Sequence, residues 1–164
     1  MKQSSTDAPA SGSLLDAAAL WEFTVTLYAR PGVAPACLAV QEATGARICP
    51  LILLAWLAHH RVRPLAAERL HAAAADWHGL AVLPLRAVRR GLKPLAAEAP
   101  EVAALRAQVQ AVEIEAERLE LVFLLRQLGP VAAAEGRDWL PALLADWCRG
   151  APPQALATLA AAFA

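Results

Sequence analysis

Arg86, Arg89, Arg90 and Lys93 stand at i, i+3, i+4 and i+7, a spacing that gathers four cations on one face of one helix. The leading reading of the stripe is intramolecular pairing or a solvated helix face; because guanidinium forks bind phosphate and carboxylate two bonds at a time, it also fits an anion, a nucleic-acid backbone or an acidic protein face. No aromatic residue is interleaved with it, which leaves base stacking without support. Glu113, Glu117 and Glu120 share a face of a later helix, with Glu115 on another. Paired carboxylates can do acid–base work or hold a di-metal centre, but the latter wants Glu-x-x-His, and no histidine follows His78. The expected role of these acids is a solvated face or a docking surface matched in charge to the basic stripe.

His59, His60, His71, His78 and Cys49 are the other candidate ligands. No two have zinc-motif spacing, and His71 and His78 lie two helical turns apart, so neither a metal nor another cofactor is expected. There is no GxSxG, P-loop or GxGxxG, and the few Ser and Thr residues gather toward the N-terminus. The chain therefore leans away from an enzyme. Trp21, Trp56, Trp77, Trp139 and Trp147 occupy helix-face positions and are expected in the core, with a ligand pocket between helices as the alternative.

The elements that must hold these side chains follow from composition. Of 164 residues, 41 are Ala and 27 Leu, against 11 Val and 3 Ile, a balance of helix formers over strand formers. The expected fold is all-α, in one domain. Net charge is zero, which excludes the bulk positive field of a nucleic-acid coat, yet the charge is unevenly spread. From His59 to Leu95 seven basic residues face two acids, a net of +5; from Glu98 to Glu120 six acids face two arginines, a net of −4. The longest uninterrupted apolar run, Leu51 to Ala58, is too short for a bilayer, which needs roughly 20 residues. The N-terminus has no apolar signal-peptide core, so the expected location is the cytoplasm, with no membrane partner. Cys37, Cys49 and Cys148 are odd in number and lack CxxC spacing, as expected of buried thiols in a reducing compartment. Thirteen Arg against 2 Lys, with the alanine load, points to a GC-rich genome.

Along the chain, residues 1–12 read as a disordered tail and 13–150 as a bundle of about six or seven helices. Ser13 is the expected N-cap of a first helix ending at Arg30, stopped by Pro31-Gly32. A second runs from Val33 to Gly45, placed as a C′ residue. Residues 50–60 form a helix apolar on every side, hence the buried central element. Helical pattern resumes after Pro64; His78-Gly79 breaks it, or Pro84 kinks one longer helix to Lys93. Sequence leaves both open, and no strand-like alternation is seen. After a turn over 94–100 comes the longest helix, 101–128, with Leu105, Val109, Val112, Ala116, Leu119 and Phe123 as a heptad-like seam. Asp138 caps a short helix, and 151–164 is a weak C-terminal one.

The residues Leu20, Trp21, Phe23, Leu27 and Tyr28, then Pro31-Gly32-Val33, Cys37-Leu38, Gln41 and Gly45, resemble a proteobacterial family of small proteins, domain of unknown function 2390. Trp56-Leu57, Pro84-Leu85-Arg86, Arg89-Arg90, Leu92-Lys93, Glu113 and Ala116-Glu117-Arg118 extend the resemblance, which covers about 14–128. It implies no activity and no functional residue. The leading expectation is a non-enzymatic protein-interaction or regulatory protein, since a dipolar charge pattern and an apolar seam steer partner choice. The alternatives are nucleic-acid or anion binding through the Arg86 stripe, and small-molecule binding in the bundle core. Self-association through the 101–128 helix is a further expectation: a turn over 94–100 sets Lys93 near Glu101 and leaves Glu113, Glu117 and Glu120 beyond the reach of Arg86 and Arg90, so that the basic stripe of a second copy would meet them.

Overall fold

Asp16 opens the first helix of the computed structural model, which describes residues 14–163. Its carboxylate accepts from the backbone N–H of Ala18 at 2.9 Å and of Ala19 at 3.0 Å, satisfying two of the donors a helix start leaves bare. Asp16 is the N-cap of this helix; Ser13, the expected cap, lies outside the described residues, as does the 1–12 tail. Helix α1 spans Ala17–Tyr28, α2 Val33–Thr44 and α3 Ile48–His59. Gly45 ends α2 at φ 68°, the left-handed C-terminal position expected of it.

In α3, every residue from Cys49 to Ala58 is buried. An element apolar all round has no solvent face to offer, and α3 accordingly contacts α1 and the later elements on all sides. Leu53, Leu54 and Leu57 are fully enclosed, each burial stabilising by about 1.5–3 kcal/mol. After α3, Arg61 turns the chain at φ 56° into a short strand, β1, Val62–Pro64. It pairs antiparallel with β2, Val131–Ala133, with Val62 opposite Ala133 and Pro64 opposite Val131. Sequence alternation misses both strands because three residues carry too little periodicity to read. Pro64 belongs to the strand, and helix α4 starts at Ala67, running to Trp77.

Neither Gly79 nor Pro84 breaks the next stretch. Helix α4 passes through a π-helical turn, His78–Val82, into α5, Leu83–Gly91, with helical dihedrals at both junctions. A four-residue helix α6, Lys93–Ala96, follows, and the chain reverses before α7, Pro100–Gln127. Helices α8, Trp139–Trp147, and α9, Pro153–Phe163, complete an all-α bundle. Ala155, Leu159 and Phe163 of α9 are buried, with α2 its main neighbour. Among the described residues no single helix is long and apolar enough to cross a membrane.

The seam expected on α7 is largely open. Leu105, Val112 and Leu119 are 48%, 53% and 37% exposed, while Ala116 is buried and Val109 and Phe123 are half-buried. The face that α7 turns to the core is Glu113, Ala116, Glu120, Leu121, Leu124 and Leu125. An acid alternates with leucine on that stripe, and the acids are explained by what faces them.

Candidate functional site

Helices α5 and α7 lie side by side and pair their charges. Arg86 Nε donates to Glu113 Oε1 at 3.0 Å, and its Nη2 to Glu117 Oε1 at 2.6 Å. Arg89 closes the group, donating from Nε to Glu113 Oε2 and from Nη2 to Oε1 at 3.2 Å. Two guanidiniums thus hold a carboxylate that is nearly buried. Burial alone would raise the Glu113 pKa, but the hydrogen bonds and charges of Arg89 and Arg86 override it and hold the group below its usual range. The Arg89 guanidinium is raised in return by its bonds to Glu113.

This pairing overturns the expectation that Glu113 and Glu117 lie beyond the reach of Arg86. The helical path does not turn at Lys93; it continues through α6, so the reversal comes several residues later and Arg86 is carried back alongside Glu113 and Glu117. The acidic face is correspondingly not solvated: Glu113 and Glu120 are buried. Arg90 and Lys93 are exposed and take no ion pair among the described residues, so the four-cation stripe is divided into a paired half and an open half. An external phosphate would meet only the open half.

One turn beyond Glu117 is Glu120, 1% exposed, with no hydrogen-bond partner for either carboxylate oxygen among the described residues. His78 Nδ1 stands 3.7 Å from Glu120 Oε2, longer than a hydrogen bond. Both His78 and Arg86 reach α7 because of the π-helical turn. Eight residues of regular α-helix would rotate Arg86 about 80° away from the direction of His78. The wider turn over His78–Val82 rotates less per residue and brings the two onto one face. Trp77 Nε1 fixes the approach by donating to the Ala116 carbonyl at 3.0 Å, with its ring stacked on Phe123.

These polar groups close one side of a cavity of about 350 Å³. Its walls are Trp21, Thr24, Val25 and Tyr28 from α1, Gln41 from α2, Ile48, Cys49 and Ile52 from α3, and Ile114 and Leu121 from α7. His78, Arg86, Glu117 and Glu120 face it as well. Burial raises the Glu117 carboxyl against the pull of the Arg86 charge and hydrogen bond, with the charges of Glu113 and Glu120 adding to the rise. Burial pushes the Cys49 thiol far up, helped by Glu120 and Glu117, so it is not a poised nucleophile. The Tyr28 phenol is driven up by burial and by the neighbouring cysteines.

Arg86 takes the intramolecular pairing that is one expectation for the basic stripe, whereas Glu117 and Glu120, expected on a solvated or docking face, turn inward, and the grouping with Cys49, His78, Trp21 and Tyr28 is not legible in the spacing. One signal was available. Glu120 follows Ala116 and precedes Leu124 at four-residue steps, so helical periodicity alone puts it on an inward stripe. No group of three or more His, Cys, Asp or Glu side chains arranged for a metal ion occurs among the described residues.

No curated protein and no solved structure matches the chain. Residues 19–124, which run from within α1 into α7 past Glu113, Glu117 and Glu120, match the family described as "Protein of unknown function (DUF2390)". That span contains every residue of the cavity wall. The chain belongs to the DUF2390 family.

Proposed function

We propose that the chain is a small-molecule binding protein, with the cavity between α1, α3, α5 and α7 as its ligand site. The observation that carries this reading is Glu120, a buried carboxylate with both oxygens unpartnered, facing an otherwise largely apolar space of ligand size. Buried polar atoms are almost always hydrogen-bonded, and pockets that combine an apolar wall with a few convergent polar groups are the usual form of a ligand site. The absence of a reactive thiol favours binding over covalent chemistry. The buried free thiols Cys37, Cys49 and Cys148 fit work in the cytoplasm, where they stay reduced.

Methyl-resolved NMR with a fragment library tests this. Occupancy should move the methyl signals of Ile48, Ile52, Ile114 and Leu121 together, and Val25→Trp, at the exposed rim, should abolish the response. A library that leaves these four methyls unmoved would sink the reading.

A second reading rests on the open seam of α7, where Leu105, Val112 and Leu119 recur at seven-residue intervals and are exposed. Such a stripe suits a helix of a protein partner or of a second copy. Sedimentation at micromolar concentration tests self-association, and a monomer mass unchanged by concentration counts against the second copy.

A further inference from the structure

Resting on the ligand-site reading, we infer that the cavity takes an amphipathic organic cation, an amine carried on an apolar body, with its ammonium group against Glu120 and Glu117. The charge balance leads there. Glu113, Glu117 and Glu120 are three carboxylates within one network, and Arg86 and Arg89 are the two guanidiniums that answer them. Both guanidiniums are committed to Glu113 and Glu117, which leaves the Glu120 carboxyl without an arginine and with no hydrogen bond to either oxygen among the described residues. A buried charge without a partner is costly, and a cation delivered by a ligand removes that cost.

The neighbours of Glu120 supply only weak or distant donors. His78 stops at 3.7 Å, and the thiol of Cys49, which lies beside Glu120, is a weak donor that also meets the Glu117 carbonyl at 3.7 Å. The rest of the wall suits the rest of such a ligand. Trp21 and Tyr28 line the cavity with aromatic side chains, whose ring faces attract cations, while Ile52 and Leu121 offer hydrocarbon for its body. An anionic ligand meets the opposite situation, since the Arg86 guanidinium already bridges Glu113 and Glu117 and the Glu120 carboxyl faces the same space. The cavity, about 350 Å³, falls in the lower range of ligand pockets, so the fitting cation is small.

Three probes with one apolar body separate the possibilities: 4-phenylbutylamine, 4-phenylbutanol and 4-phenylbutanoate, titrated into the full chain by calorimetry at pH 7.5. The amine should bind at least about tenfold more tightly than the alcohol, and the carboxylate not measurably. In E120Q the amine should lose at least about tenfold in affinity while the alcohol is little changed. The wild-type series needs no variant to fold, so it decides the matter even where E120Q is unstable. Alcohol or carboxylate binding as well as the amine, or amine affinity unchanged in folded E120Q, overturns the cationic class and leaves the ligand site standing. No binding by any probe also overturns it. If the fragment library likewise finds no occupant, the ligand-site reading falls with it.

Discussion

Arg86 and Glu117 meet at 2.6 Å across the α5–α7 interface, and the same guanidinium holds Glu113 one turn earlier at 3.0 Å. One side chain therefore ties two carboxylates that would otherwise repel each other. The Arg86 side chain is only 13% exposed and that of Glu113 7%, so the pair is shielded from solvent screening. Arg86→Ala leaves Glu113 to Arg89 alone and should cost about 3 kcal/mol in urea unfolding. Arg86→Lys should recover only part of this, because an ammonium does not reproduce the fork. Arg90→Ala, exposed and without an ion pair among the described residues, should stay within about 0.5 kcal/mol. Equal losses for Arg86 and Arg90 would refute the paired arrangement.

The two leucine-rich stripes should separate by stability. Leu54→Ala, inside α3 with no exposure, should lose about 2–5 kcal/mol, since the enclosing helices relax only partly into the cavity left behind. Leu105→Ala on the open side of α7 should change stability by less than about 0.5 kcal/mol in the monomer. A large loss at Leu105 in dilute protein would mean the seam is covered.

Stability should rise between pH 5 and pH 7 through two histidines. Burial lowers His60, assisted by His59, and burial lowers His71, assisted by Arg47 against Asp146, each from an ordinary value of 6.5. Between the folded value and 6.5 the unfolded chain binds more protons, so folding gains as pH rises and the contribution is lost below the folded value. Glu117 works with the opposite sign: its folded pKa is raised above 4.5, so its charged form costs stability as pH rises from 4.5 through the raised value. The difference in urea midpoint between wild type and His71→Asn isolates the histidine share. It should change in size across pH 5 to 7, and a difference that is flat with pH would contradict the assignment.

Thiol reactivity should be slow. Cys37, Cys49 and Cys148 are buried, and burial raises all three pKa values, Cys148 to about 11 with Cys37 adding to the effect. A disulfide reagent at pH 7 should find no fast-reacting thiol in the folded chain and three after unfolding. A rapid single-thiol phase in the native protein would show that one of these sites opens.

Local sequence determined most of the helices. The unbroken apolarity of Leu51 to Ala58 could satisfy itself only inside a bundle, and Gly45 could stop α2 because a left-handed residue there costs glycine nothing. Periodicity is a property of a few turns, so it survives without knowledge of neighbours. Tertiary structure decided the charged residues. Spacing put Arg86 and Arg89 on one face and Glu113, Glu117 and Glu120 on another, but whether two such faces meet depends on where the chain reverses. The short helix after Gly91 moves that point later by about one turn. Likewise the π-helical turn at His78, a change of one residue in helical register, aims His78 and Arg86 together at α7, and no local pattern announces it. Burial of a carboxylate such as Glu120 is set by what surrounds it, a property of several distant segments at once, and so the cavity exists only in the assembled fold.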